Sequence, residues 1–391
     1  MNKKIIYLIS TMFLMSVLAN MGHPVTPELV VSLKMSSFMY GVMFAAMSIA
    51  GFAMSPIWGS LADKYRDRRL FMYIPTIGYG LAQLGFGYST SVPLIIFFRI
   101  LGGAFSCSVF TNAIAYIIDE TSIEERNKAI ANYTAITGFG VSLGYLAGGY
   151  IGATDYHHAF AFQAVGLFIH AALMRLFLPK SNVQAKVKTS TSENESTSLK
   201  SNFKAYLSTS LGVLLFVVLL TSFSNTAYSN GVNYYLKKYL NLNPLQIGYY
   251  MAFTGIIGMI ANIYLTPRLS KKIGDKNSLK YVFLAIGVSL MIIGMQDNLL
   301  AKATIGIFVL FIFVLSMFNP LLQAMVSKHS KNEHGKIMGL QSSINSVGMV
   351  GGSLFSGALM DSYPKVSFMM AAALFIISFL IIQFNKKLSN K

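Results

Sequence analysis

The chain has 391 residues, of which 54% are hydrophobic and only 12% are charged, and its formal net charge is +17. A soluble chain is typically about 45–50% apolar and about 25% charged, and no soluble core of this length could bury so much apolar surface. The composition therefore excludes a disordered protein, a disulfide scaffold and an ordinary cytosolic enzyme. It predicts a protein that crosses a membrane several times.

Twelve apolar stretches are long enough to cross the hydrocarbon layer of a bilayer, which takes roughly 20 helical residues. In the first half they cover residues 5–27, 38–61, 71–89, 93–118, 128–152 and 159–178. In the second half they cover residues 208–235, 245–266, 279–296, 302–326, 336–360 and 366–385. The sequence therefore predicts an all-α polytopic membrane protein, with six-helix bundles over residues 1–178 and 208–391 and a cytoplasmic linker over residues 179–207.

The basic residues lie between these spans and mostly on one side of the predicted bilayer. With the N-terminus in the cytoplasm, twenty-five of the 31 Lys and Arg residues are cytoplasmic, five are external, and Arg99 lies within a span. Cytoplasmic loops of membrane proteins carry such an excess of bases, so the count predicts a multi-pass protein of the cell membrane with both termini inside. Bases dispersed in this way are not typical of a nucleic-acid binder.

The two halves repeat at a constant offset of 208 residues. Matched pairs include Leu61 with Leu269, Lys64 with Lys272, Glu125 with Glu333, Lys128 with Lys336, Gly140 with Gly348 and Gly144 with Gly352. Single matches of Gly or Leu are common in membrane helices. A constant offset across three helices and two charged loops favours a genuine duplication of a six-helix unit.

The loop after the second span carries a recognisable pattern, made by Gly59, Leu61, Asp63, Lys64, Arg68 and Arg69. It resembles the signature loop of the major facilitator superfamily, G-x-L-x-D-R/K-x-G-R-R/K, found between the second and third helices of that family. A weaker copy over residues 267–276 stands where the family carries one. Arg66 replaces the expected Gly and Asp67 the following Arg, while Lys271 replaces the acid of the second copy. With twelve spans, a long central loop and the repeat, the chain resembles the drug:proton antiporter branch of that superfamily.

The resemblance implies a conformational latch on the cytoplasmic side. In the family the loop acid, here Asp63, docks on the start of the eleventh helix, here near Lys336, and loop bases pair with an acid at the end of the fourth helix, here Asp119 or Glu120. The candidate latch residues are Gly59, Asp63, Lys64, Arg68, Asp119 and Arg126. The alternative is that these charges only set topology. This alternative is favoured for Arg69 and Lys276, but an acid inside a basic loop adds nothing to topology.

Spans 4 and 5 carry two further patterns. Arg99 and Gly103 form an R-x-x-x-G sequence that resembles a family motif associated with proton coupling, and an intramembrane Arg is a functional candidate by default. The alternative is an interfacial Arg that snorkels to the surface. The fifth span resembles the antiporter motif G-x-x-x-G-P-x-x-G-G at Gly140, Gly144, Gly148 and Gly149, with Tyr145 in place of the Pro. Such a stripe could equally serve only close helix packing.

Polar residues within apolar spans are candidates for the substrate cavity, which in such folds lies near the midplane. The candidates are Asn20, Thr111, Asn112, Tyr133, Asn225, Tyr228, Asn319 and Gln323. Each could instead only hydrogen-bond neighbouring helices. None of the 14 acids lies in the middle of a span, which leaves Glu28, His23 and Arg99 as candidates for ion coupling. A cavity without a deep acid suits neutral or anionic amphiphiles better than dications.

These features predict a secondary transporter that works as a monomer, with no metal and no cofactor. The preferred hypothesis is proton-coupled export of small amphipathic or drug-like compounds by alternating access. The alternative is an uptake symporter or facilitator for a small polar solute such as a sugar or organic anion. A membrane enzyme or receptor is disfavoured, because the chain has no P-loop, no H-E-x-x-H sequence and no nucleophile elbow.

Overall fold

The computed structural model describes residues 3–181, 210–295, 302–329 and 334–385, so most of the predicted linker lies outside it. The first half forms seven helices: α1 (Lys3–Asn20), α2 (Thr26–Ser32), α3 (Ser37–Tyr65), α4 (Leu70–Gly87), α5 (Val92–Glu120), α6 (Ile123–Ile151) and α7 (Tyr156–Phe177). The second half forms α8 (Ser210–Lys238), α9 (Pro244–Ile260), α10 (Thr266–Ile273), α11 (Asp275–Met295), α12 (Lys302–His329), α13 (His334–Met360) and α14 (Pro364–Phe384).

Each predicted span coincides with a long helix or with a broken pair of helices. Nine helices among the described residues are long and apolar enough to cross a bilayer by length and composition. The remaining long helices, α4, α6 and α13, carry more glycine or polar residues. The prediction of an all-α polytopic membrane protein is confirmed.

Span 1 is not one continuous helix, as the sequence had suggested for residues 5–27. The helix α1 ends at Asn20, and the short helix α2 begins at Thr26. The intervening turn contains Pro24, whose ring prevents the regular hydrogen bond of a helix interior. One carbonyl at the end of α1 is satisfied from a neighbouring helix, since the side-chain amide of Gln163 donates to the oxygen of Leu18 at 2.7 Å.

Span 8 is also broken, by a π-helical turn over Ala261–Leu265 between α9 and α10. Pro267 follows it and has no N–H to donate to the preceding turn. The hydroxyl of Thr266 donates to the carbonyl oxygen of Ala261 at 3.2 Å, which satisfies one carbonyl of the widened turn. The break therefore has a local cause in the sequence.

The described residues form two compact units. The first unit contains α1–α7 together with Val232–Ile256, which is the end of α8 and most of α9. The second unit contains the start of α8 and the chain from Ile257 onward. In the first unit α1 lies at the centre, and its apolar side chains, such as Met12 and Met15, are fully buried against α5, α6 and α7.

The same helix pair packs through glycine in each unit. A Cβ on Gly140 of α6 would lie 2.8 Å from the carbonyl oxygen of Phe13 in α1. A Cβ on Gly348 of α13 would lie 2.8 Å from the carbonyl oxygen of Leu219 in α8. One turn further along, Gly144 contacts Val17 and Gly352 contacts Phe223 in the same way. The duplication predicted from the sequence therefore corresponds to one packing arrangement that occurs twice.

Candidate functional site

A cavity of about 380 Å³ lies between α8, α12 and α13 of the second unit. Three kinds of polar side chain line it: the hydroxyls of Thr221, Ser222, Thr226 and Ser342, the amides of Asn225, Asn319 and Asn345, and the amides of Gln323 and Gln341. Val218, Phe318, Leu322 and Met349 supply the apolar part. No residue of this lining is charged. A wall of amides, hydroxyls and apolar groups suits an uncharged ligand that has both polar and apolar parts.

The polar groups of the cavity are only partly satisfied by one another. The amide of Gln341 donates to Oε1 of Gln323 at 2.7 Å, and the hydroxyl of Ser222 donates to Oδ1 of Asn345. The Oε1 atom of Gln341 is buried and accepts no hydrogen bond from the described residues. A buried acceptor without a partner costs about 1–3 kcal/mol, so the Gln341–Gln323 pair is not a fully satisfied structural contact.

Three of the predicted cavity residues line this cavity: Asn225, Asn319 and Gln323. Tyr228, also predicted, lies one turn further along α8 and packs its ring 4.8 Å from that of Phe311. The contributions of Gln341 and Asn345 were missed. Their i, i+4 spacing, continued by Met349, was the available signal for a shared face of α13.

The other predicted cavity residues lie in the first unit, where they form hydrogen bonds to, or are buried among, its helices. The Asn20 amide donates to the carbonyl oxygen of Ser16 at 2.8 Å, and the Thr111 hydroxyl lies 2.9 Å from that of Ser55. Asn112 is fully buried and Tyr133 is buried at 7% exposure. Oδ1 of Asn112 has no partner among the described residues, although its amide donates within α5.

Arg99 is buried in α5, with 4% of its surface exposed, and does not extend to the surface. Its guanidinium lies 3.7 Å from the ring centre of Phe86 and 5.4 Å from that of Phe44. It donates to the Thr26 hydroxyl at 3.3 Å and to the Met47 sulfur at 3.5 Å. In the described part of the chain this cation is therefore held by aromatic faces, a hydroxyl and a thioether.

Of the two other candidates for ion coupling, His23 shares an aromatic neighbour with Arg99, and Glu28 pairs with another base. The ring of His23 stacks at 6.5 Å on Phe44, the same ring that Arg99 contacts. Glu28 in α2 forms an ion pair with Lys237 at the end of α8. The side chain of Lys237 is only 12% exposed, and that of Glu28 is 32% exposed.

The loop between α3 and α4 places one buried base between two acids. Nε of Arg68 lies 2.9 Å from a carboxylate oxygen of Asp119, and the same guanidinium forms an ion pair with Asp63. Arg68 is 4% exposed, whereas the side chain of Asp63 is 46% exposed. Glu120, the other predicted partner, instead pairs with Lys4 at 2.9 Å. Asp63, Arg68 and Asp119 therefore form one charged cluster.

Both copies of the loop contain a residue with a positive φ at the matched position. Arg66, which replaces the glycine of the first copy, has a φ of 52°. Gly274, which is 208 residues further on, has a φ of 78°. Asp67 follows Arg66 and accepts a hydrogen bond from the backbone N–H of Leu70 at 3.3 Å, at the start of α4. The first copy therefore keeps a positive φ at this position without its glycine, although ψ is 35° at Arg66 and 159° at Gly274.

Three predicted latch residues lie apart from the charged cluster. Gly59 has no atom within 4 Å of where a Cβ would be, and Lys64 is exposed. Arg126 donates to the carbonyl oxygen of Ile118 at 3.3 Å, near the end of α5. The side chain of Lys336, the predicted neighbour of Asp63, lies outside the described part of the structure.

The glycine stripe of α6 faces two neighbours. Gly140 and Gly144 contact the backbone of α1, and Gly148 contacts that of Met21, the residue after α1. Gly149 instead faces α9, where a Cβ would lie 3.0 Å from the Cα atom of Gly248. The stripe therefore allows close approach of α6 to both α1 and α9.

Comparisons with known proteins agree on one family. The profile of the Major Facilitator Superfamily matches residues 6–316 and 281–389. Multidrug resistance protein 2 of Bacillus subtilis (strain 168) is 24% identical over 376 residues, covering 95% of this chain and 92% of that protein. Quinolone resistance protein NorA of Staphylococcus aureus (strain COL) is 24% identical, covering 99% and 97% of the two chains. The crystal structure of a D-xylose-proton symporter superposes with a TM-score of 0.78 at 15% identity, covering 99% of each chain.

Proposed function

The chain belongs to the Major Facilitator Superfamily, and on that premise we propose that it exports small amphipathic, drug-like compounds in exchange for protons. It is a multi-span protein of the cell membrane and a transporter, not an enzyme. Relatives that cover nearly its whole length are named for resistance to multiple drugs and to quinolones. Export of such compounds is therefore the activity that fits both the family and its named relatives.

The observation that carries this proposal is the uncharged, amphipathic lining of the cavity in the second unit. Amide and hydroxyl groups can hydrogen-bond a substrate in several orientations, and Phe318, Leu322 and Met349 can bury its apolar part. No carboxylate lies in this lining to attract a cation. The cavity therefore favours neutral amphiphiles over dications.

Coupling to protons needs a group that gains and loses one during the transport cycle. The candidates are Glu28 and His23, together with the buried charge of Arg99, which contacts the same Phe44 ring as His23. All three lie in the first unit, so the ion-coupling groups and the uncharged cavity are carried by different units. We place both termini in the cytoplasm, on the count of bases, and assign the transport cycle to a single chain.

The direct test is transport in inverted membrane vesicles that contain the overproduced protein, with a fluorescent quinolone as the probe. We expect the quinolone to accumulate inside the vesicles only when their interior is acidic. Accumulation should stop when the proton gradient is collapsed. Vesicles without the protein are the control. Quinolone movement that is independent of the gradient would contradict proton-coupled export, and gradient-driven uptake of xylose by whole cells would favour the symporter alternative.

The cavity itself is tested by Gln341→Leu, which removes the unpaired acceptor and the donor to Gln323 while keeping the side-chain volume similar. We expect KM for the quinolone to rise about fivefold, because one hydrogen bond is worth about 1 kcal/mol. Ser346→Ala is the matched control, since Ser346 lies on the same helix but outside the cavity lining. An unchanged KM in Gln341→Leu would remove this residue from the substrate site.

The lack of charge in the cavity gives a second test. A neutral amphiphilic dye should be exported faster than a bis-quaternary dye of similar size, because nothing in the lining compensates the dehydration of two positive charges. Competition between the two dyes in the same vesicles measures this preference. Preferential export of the dication would show that the substrate uses another part of the protein.

A further inference from the structure

We propose that Lys237 is a positioning residue for transport. Its ion pair with Glu28 holds a gate closed at the predicted external end of the first unit. The inference rests on the proposed transport function. In the first unit the segment Val232–Ile256 packs against helices of the first half. Substrate released to the outside must pass this contact when access alternates.

Two side-chain contacts hold this segment in place. Lys237 forms its ion pair with Glu28 of α2. Three residues earlier on α8, the ring of Tyr234 lies 5.3 Å from that of Tyr40 at the start of α3. Lys237, Tyr234 and Tyr40 are all largely buried, whereas the side chain of Glu28 is 32% exposed.

A third contact closes the segment against α6 by backbone alone. A Cβ on Gly149 would lie 2.7 Å from the carbonyl oxygen of Pro244 and 3.0 Å from the Cα atom of Gly248. Such an approach leaves no room for a solute. The glycine contact contributes only dispersion energy. The ion pair is therefore the contact that can set the equilibrium between the closed and the open gate.

Two routes connect this gate to Arg99. The guanidinium donates to the hydroxyl of Thr26, the first residue of α2, and Glu28 follows two residues later. The guanidinium also lies over Phe44, whose ring contacts that of Tyr40 at 5.1 Å. Arg99 is therefore connected to the Tyr40–Tyr234 contact through rings that touch, and to the ion pair through the backbone of α2.

The experiment measures opening of the gate without any transported compound. Cys107 is the single cysteine of the chain, so Cys107→Ser gives a background for one reporter thiol. Ser142→Cys places that thiol on α6, about two turns before Gly149 in the chain. The position is 3% exposed and close to Gly255. Its labelling rate by a membrane-impermeant maleimide added outside intact cells reports access past the gate.

In this background Lys237→Gln should raise the labelling rate about two- to fivefold, the range expected from losing an ion pair of this partly exposed kind. The charge exchange Glu28→Lys with Lys237→Glu should return the rate to that of the parent, which a merely structural role would not produce. Lys34→Gln is the matched control, since Lys34 is exposed on the same predicted side. It should leave the rate unchanged.

A labelling rate in Lys237→Gln equal to that of the parent would overturn the proposal, and so would a charge-exchanged variant that labels as fast as the single variant. The rates are taken per molecule of protein in the membrane, so a lower abundance of one variant does not alter the comparison. Because labelling needs no substrate, failure of quinolone export in the parent would contradict the transport proposal and not the gate.

Discussion

At the scale of single residues, the protein stabilises buried charge in two different ways. Arg68 lies between the carboxylates of Asp63 and Asp119, so its charge is paired. Arg99 is stacked on Phe86 and hydrogen-bonded to the hydroxyl of Thr26. The first arrangement uses two nitrogens of the guanidinium, one for each acid, whereas the second uses its planar face.

The dependence of Arg99 on its planar group gives one prediction. Arg99→Lys keeps the positive charge but loses the flat contact with the ring, and a desolvated cation–π contact is worth about 2 kcal/mol. We expect quinolone transport to fall about tenfold or more at unchanged abundance in the membrane. Lys34→Arg, an exchange of the same kind at an exposed site, is the control. Full transport by Arg99→Lys would show that only the charge matters.

The charged cluster gives a second prediction, in which one substitution affects transport and another affects stability. Asp63 is half exposed, and ion pairs of that kind are worth about 0–1 kcal/mol, so Asp63→Asn should leave abundance unchanged. If the cluster is a latch, that variant should nevertheless transport more slowly. Arg68→Ala should lower abundance, because it leaves the largely buried carboxylate of Asp119 without its partner. Normal transport kinetics in Asp63→Asn would contradict the latch.

At the scale of helices, close packing through glycine is what relates the two halves. The pairs α1 with α6 and α8 with α13 each place glycine Cα atoms against a partner carbonyl. A lipid-exposed helix gains little from apolar surface alone, so intimate packing is the main source of helix association in a membrane. The glycine stripe that resembles an antiporter motif therefore has a packing role in this chain, and export has to be argued from other features.

A matched set of glycine substitutions tests this packing. Gly144→Ala and Gly352→Ala should each destabilise the protein by about 1–3 kcal/mol, because the new methyl group would collide with a backbone carbonyl. Gly138→Ala and Gly339→Ala are the controls, since no atom lies within 4 Å of either added Cβ. The measurement is the midpoint of thermal aggregation in detergent. Equal midpoints for both sets would contradict the proposed contacts.

At the scale of the whole molecule, the charge distribution predicts the orientation of the chain in the membrane. Twenty-five bases fall on one predicted side and five on the other. The bias includes the loops around Arg68 and Lys272, which are related by the repeat only at the level of sequence pattern. Orientation therefore depends on many weakly acting residues, and no single substitution should reverse it.

The orientation is tested with reporters fused to the ends of the chain. A green fluorescent protein at the C-terminus should fluoresce, and alkaline phosphatase at the same position should be inactive, because both ends are predicted to be cytoplasmic. Alkaline phosphatase inserted after Lys34, in a predicted external loop, should be active and serves as the control. The opposite pattern would contradict the predicted orientation, in which the gate is external and the latch is cytoplasmic.

The sequence by itself determined the fold class, the family and most of the helices, because long apolar runs, a constant repeat offset and a loop motif are encoded locally. It also predicted three cavity residues, since a polar side chain in an apolar span is conspicuous. It did not reveal that Arg99 is held by Phe86, that Glu28 pairs with Lys237, or that Tyr228 packs in an aromatic core. Those partners are far apart in the chain, and only tertiary packing decides which side chains of a uniformly apolar helix meet.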